Sequence, residues 1–187
     1  TINTGGANLF GVVSGDTVTL SDVGASGTFT SANAGTGVSM VIAGFTISGA
    51  DAANYQLIQP TNVSADIGRA PVTISGVTAD NKVYDSLTGT TLTSGGATLN
   101  GILAQDSTVQ LDRSAATGNF TSVNVGNNLG VIASGFALTG AGASNYALAQ
   151  PTGLTANITP RPLTLTITSN PTKVYDGTDA VTLNPST

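Results

Sequence analysis

Short stretches in which apolar and hydroxylic residues alternate dominate the chain. Thr17-Val18-Thr19-Leu20 and Leu163-Thr164-Leu165-Thr166-Ile167 put apolar side chains on one face and threonine on the other. That two-residue period belongs to a strand with one wet face, as in an antiparallel sheet. The same reading predicts strands over 71–74, 81–84, 107–111, 118–122, 129–138 and 146–149, with one more over 155–158. Turn clusters separate them: Ser94-Gly95-Gly96, Asn100-Gly101, Gly126-Asn127-Asn128 and Gly140-Ala141-Gly142.

The pattern repeats. Lys82-Val83-Tyr84-Asp85 returns 91 residues later as Lys173-Val174-Tyr175-Asp176. Asn54-Tyr55 returns as Asn145-Tyr146, Gln59-Pro60-Thr61 as Gln150-Pro151-Thr152, and Gly44-Phe45 as Gly135-Phe136, all at the same offset. The offset slips by one only near Asp16 and Asp106. A period of 91 exceeds the roughly 20–47 residues of solenoid repeats and suits a sandwich module of about 100 residues. The predicted fold is therefore all-β, in tandem immunoglobulin-like antiparallel β-sandwich modules. Residues 69–159 make one complete period. Residues 1–68 match 92–159 and lack the opening strands, and 160–187 match those opening strands. Complementary ends of this kind fit either a stretch of a longer repeat array cut without regard to unit boundaries or head-to-tail self-association by strand addition, beside contacts between neighbouring repeats.

Asp51-Ala52-Ala53-Asn54-Tyr55-Gln56-Leu57 has the spacing of the corner at which a sandwich tyrosine bonds back to upstream backbone. Leu57 and Leu148 would then take the core position two residues on. A plain turn with a buried Tyr and Leu fits the same residues. In the second copy Gly142 replaces the Asp before Tyr146.

Composition narrows the function. Hydrophobic residues are 40% and charged residues 8%, which suits a core and opposes disorder. With a net charge of −5 and five cations in 187 residues, no basic stripe for nucleic acid can form. No apolar run approaches the roughly 18–20 residues of a membrane-spanning helix, and since the chain starts mid-pattern, the lack of a visible signal peptide carries little information. Glu, His and Cys are all absent. The usual general base, thiol nucleophile and soft metal ligands are missing with them, so no enzyme and no cofactor are expected. Calcium is the one metal considered, at Asp80, Asp85, Asp106 and Asp112 and at Asp176 and Asp179. None has Asp-x-Asp-x-Asp-Gly spacing. For Asp85 and Asp176, bonding of the backbone after a strand is the competing role. The only two lysines, Lys82 and Lys173, share one repeat position. They suit either an isopeptide bond to an Asn or a stem lying along the sheet. Three Asn-x-Ser/Thr triplets, at Asn62, Asn119 and Asn157, are unremarkable in so Asn- and Thr-rich a chain.

The Lys-Val-Tyr-Asp-Gly-Thr run at 173–178 resembles YDG-type repeats. So do the Gly-Ala-Asp-Ala-Ala-Asn-Tyr run at 49–55 with its following Gln-Pro-Thr, and the Ile158-Thr159-Pro160-Arg161-Pro162-Leu163 joint. Such repeats occur in very large bacterial secreted proteins, including filamentous-haemagglutinin-like adhesins. Ser86 departs from the motif glycine in the complete copy. The resemblance implies a secreted or cell-surface location and service as a stalk, spacer or self-associating filament unit. The alternative is an adhesive module that itself recognises glycan, matrix or another ligand through faces such as residues 88–93.

Overall fold

The computed structural model describes residues 4–167 and 172–181. The early part carries β1 (Thr19–Ser21), β2 (Ser26–Phe29), β3 (Gly35–Ala43), β4 (Thr46–Ser48) and β5 (Val63–Ile67). The longer part opens with β6 (Ala70–Ser75), β7 (Thr78–Ala79), β8 (Lys82–Val83), β9 (Gly89–Thr90), β10 (Leu92–Thr93) and β11 (Thr98–Asn100). It continues with β12 (Gln110–Asp112), β13 (Thr117–Phe120), β14 (Gly126–Ser134), β15 (Ala137–Thr139), β16 (Tyr146–Ala149) and β17 (Leu154–Thr159). Among the described residues the only helical turns are three short 3₁₀ segments, so the fold is all-β.

The two parts share a pairing scheme. β2–β3–β5 forms one sheet and β1–β4 another; β13–β14–β17 and β12–β15 repeat both arrangements. Ser26 opposes Ala43 and Thr117 opposes Ser134; Phe29 opposes Met40 and Phe120 opposes Val131, each pair displaced by 91 residues. Even the irregularity recurs, between Gly35 and Val38 and between Gly126 and Leu129. There Gly37 and Asn128 take positive φ, 61° and 51°. Their amides donate to the side-chain oxygens of Asp66 at 2.8 Å and Asn157 at 2.7 Å. The expected turn at 126–128 is thus a bulge that opens β14.

Three further expectations change. The strand predicted over 129–138 is two, because Gly135 turns the chain at φ 84°, where a methyl group would lie 2.0 Å from the Ala115 carbonyl oxygen. The strand predicted from residue 107 begins at Gln110, since a 3₁₀ turn over Ala104–Asp106 and the Ser107-Thr108 turn precede it. The pairing is also not antiparallel throughout: β6 runs parallel to β16, and β8 parallel to β17. These early strands slot beside the late ones and complete the sheets β11–β6–β16 and β8–β17–β14–β13–β9. The two-residue strands β7, β9 and β10 and the three-residue β11 are too short for alternation to reveal.

Burial is uneven. Residues 70–159 hold ten buried hydrophobic residues, whereas Ile42 and Phe45 are the two in 4–67. In the longer part Val72 of β6, fully enclosed, packs with Val109 and Tyr146. Phe120, Val131, Ala156 and Ile158 form a second cluster that Tyr84, Ala79 and Leu92 cover.

Candidate functional site: an open strand position and its motif loops

The Lys-Val-Tyr-Asp loop is a locally built clamp. Lys82 Nζ lies 2.6 Å from Asp85 Oδ1 and donates to the carbonyls of Leu87 and Gly89, both at 3.0 Å. Asp85 Oδ1 also accepts the Leu87 amide at 2.9 Å. The ammonium beside it holds the Asp85 carboxyl below its ordinary range. The second copy repeats the clamp: Lys173 Nζ meets Asp176 Oδ1 at 2.9 Å and the carbonyls of Thr178 and Ala180 at 2.7 and 2.6 Å. Asp176 is lowered for the same reason. Each ammonium spends its donors on its own loop, with no Asn side chain among these contacts. Ser86 adopts φ 64°, the conformation that Gly177 takes at φ 78° in the other copy. The Ser thus keeps the loop shape at a steric cost that the motif glycine avoids. Only the surroundings differ: Tyr84 packs on the Phe120 cluster, whereas Val174 and Tyr175 are 89% and 91% exposed.

Tyr55 and Tyr146 are anchored alike in the two parts, but to amides 42 and 43 residues upstream rather than across the local corner of a sandwich, and with an aspartate that the motif did not include. Tyr55 Oη donates to Asp16 Oδ2 at 2.6 Å and accepts the Val13 amide at 2.9 Å. Tyr146 Oη donates to Asp106 Oδ2 at 2.6 Å and accepts the Leu103 amide at 3.1 Å. Donation to a carboxylate favours the protonated phenol and raises both tyrosines above their ordinary value. Asp51 serves elsewhere, accepting the Thr17 amide at 2.8 Å, and with Gly142 in its place Tyr146 still bonds Leu103 and Asp106. The signal for Asp16 and Asp106 was present, as an Asp kept in both copies upstream of the Tyr. The motif glutamines have a similar long-range role. Gln59 and Gln150 each bond both backbone groups of a phenylalanine, Phe45 and Phe136, as a strand would.

The calcium candidates do not converge. Asp80 accepts from Thr93, Asp106 from Tyr146 and Asp112 from the Ser114 amide, while Asp85 and Asp176 are held by lysine. Asp179 is exposed. No three such groups cluster among the described residues.

The largest difference between the two parts is an open position. In 70–159, β6 lies between β11 and β16, and Val72 fills a nest of Leu99, Ile102, Val109, Leu138, Tyr146 and Leu148. In 4–67 the equivalents of that nest are Leu9, Val12, Val18, Ile47, Tyr55 and Leu57, and they line a cavity of about 290 Å³. A second cavity of about 720 Å³ is lined by Phe29, Met40, Ile42, Val63 and Ala65. Those residues correspond to the surface that Tyr84 and Leu92 cover in the longer part. Residues 161–167, which match β6, form no strand and are exposed, Leu163 and Leu165 at 94% each.

A joint connects the parts. The Ala34 amide donates to Asn145 Oδ1 at 3.0 Å, and Asn145 Nδ2 donates to Asn33 Oδ1 at 3.2 Å. No curated protein and no solved structure matches the chain. The profile of the YDG domain matches residues 1–63 and again 68–153, most of the sequence. The chain therefore belongs to the YDG domain family.

Proposed function

We propose that the chain is a piece of the repeat region of a bacterial secreted or cell-surface adhesin of the filamentous-haemagglutinin-like kind. In this reading its units are immunoglobulin-like β-sandwich modules of about 91 residues. They serve as a stalk or filament unit without catalysis. The observation that carries the reading is the recurrence of strand register, bulge and capping contacts at one offset, joined through Asn33 and Asn145. A stalk requires units that each close their own hydrogen bonds and meet the next through a fixed contact. The lack of His, Cys and Glu supports a mechanical role over a chemical one. Direct ligand recognition is the second reading. It is disfavoured because the cavities of about 290 and 720 Å³ match places that the chain's own side chains fill in 70–159.

The test is to insert one and then two further copies of residues 69–159 after residue 159 and to measure the maximum dimension by small-angle X-ray scattering. A constant increment per copy at unchanged cross-section is expected. A dimension that fails to grow, or that grows as for a flexible coil, overturns the stalk.

A further inference from the structure

The first and last segments of the longer part run side by side, in one direction and in one register. Residues 70–73 pair parallel with 146–149, and Lys82 and Val83 pair parallel with Ile158 and Thr159. Tyr146 stands 76 residues after its partner Ala70, and Thr159 stands 76 after its partner Val83. The alignment is therefore kept from end to end, although both segments pass from the three-stranded sheet to the five-stranded one on the way. Each passes a glycine with positive φ, Gly76 at 78° and Gly153 at 73°. We propose that this parallel pair is a mechanical clamp, which gives the longer part the further function of resisting tension along the chain. The clamp rests on the stalk reading, since a stalk passes tension from one unit to the next.

The pairing decides how such a load falls. Tension enters at residue 70, beside Tyr146, and leaves at residue 159, beside Val83. The two points thus lie at opposite ends of two parallel segments. Pulling slides one segment along the other and strains the evenly spaced bonds of both ladders together. In an antiparallel pair pulled apart at one end, the bonds would break one after another. Forced unfolding is governed by the rate of crossing the unfolding barrier, so the sliding arrangement withstands the larger force.

Packing and the motif loop reinforce both ends of the clamp. Val72 on the first segment and Ile158 on the last are the largest fully enclosed side chains. They keep water, which would replace a stretched bond, away from the ladders beside them. At the exit end the Tyr84 amide donates to the Thr159 carbonyl at 2.9 Å and the Asn157 amide to Asn81 Oδ1 at 2.7 Å. Thr159 Oγ1 adds a bond to the Lys82 carbonyl at 3.3 Å. Lys82 in turn ties β8 to the loop behind it through Asp85, Leu87 and Gly89. The Lys-Val-Tyr-Asp motif therefore holds β8 in place while β17 pulls on it.

The absence of cysteine lets force handles be attached through introduced thiols. Full-length chains carrying Gly68→Cys with Pro160→Cys are stretched in optical tweezers and compared with full-length chains carrying Gly68→Cys with Gln105→Cys. All three positions are exposed, and Gly68 and Gln105 line one cavity, so the second pair of handles peels β6 away from its entrance end. Expected for the first pair is one rupture with a step of roughly 270 Å, as about 90 residues extend from their folded span. The second pair should yield at a several-fold lower force. Lys82→Met should lower the force between 68 and 160 and leave that between 68 and 105 unchanged, which a general loss of stability would not do. Equal forces in the two geometries overturn the clamp, and so does a Lys82→Met chain that ruptures between 68 and 160 at the parent's force. If either result comes while the copy-insertion series still lengthens by a constant step, the clamp alone falls and the stalk stands. A failed series would remove the stalk itself.

Discussion

A few side chains set the shape of each motif loop, and their titration is measurable. Asp85 is held below its ordinary value of 3.8, chiefly by the hydrogen bond from Lys82. A carboxyl that titrates lower when folded contributes stability that is complete above the unfolded value and is lost as pH falls through the folded one. The clamp should therefore stabilise the chain at neutral pH and fade below about pH 4. Asp85→Asn is expected to lower the denaturation midpoint at pH 7 and to flatten the acid limb of the stability curve. Urea titrations at pH 7, 5 and 3 check this, and an unchanged acid limb would show that other carboxylates govern it. The clamp spans only 82–89 and 173–180, which explains why it forms in the same way where the rest of the fold surrounds it and where nothing covers it.

Among the strands, β6 is the one whose presence separates a filled core from an open one. Val72 is wholly enclosed, and its counterpart Leu163 is 94% exposed. Val72→Ala should cost about 2–3 kcal/mol, the usual toll of removing buried methyl groups and leaving a cavity. Leu163→Ala, at concentrations where chains are single, should change stability by less than about 0.5 kcal/mol. Urea unfolding of the two variants decides. Equal losses would mean that 161–167 is already packed within its own chain. The two-residue period located most of the strands but could not reveal that Gly135 divides one of them, because that break comes from the approach of the Ala115 carbonyl across the sheet.

At the level of the assembled chain, the two parts meet through a small polar contact. Asn145 accepts from the Ala34 amide and donates to Asn33, beside a cavity that Ile67 lines from one part and Leu103 and Tyr146 from the other. Asn145→Ala should leave the thermal midpoint nearly unchanged while broadening the distribution of angles between the parts. Spin-label distance measurements across the joint read this directly, and an unbroadened distribution would place the rigidity in the connecting segment instead. Asn54 and Asn124 stand 91 residues from Asn145 and Asn33 in the sequence.

The 91-residue offset, the strand alternation, the all-β class and the membership of the YDG family were legible from residue order, because they depend on neighbours and on copies of the same text. The repeated tyrosines and an Asp upstream of each were legible as motif residues, but that they pair was not, since hydrogen bonds spanning 39 and 40 residues depend on where distant strands come to lie. The repeat alignment already showed that 1–68 lacks the opening strands, whereas the parallel placement of β6 beside β16 and the bulge at the head of β14 belong to the tertiary structure alone. A strand's sequence encodes which face is apolar. Which strands flank it is settled by the packing of segments far apart in the chain.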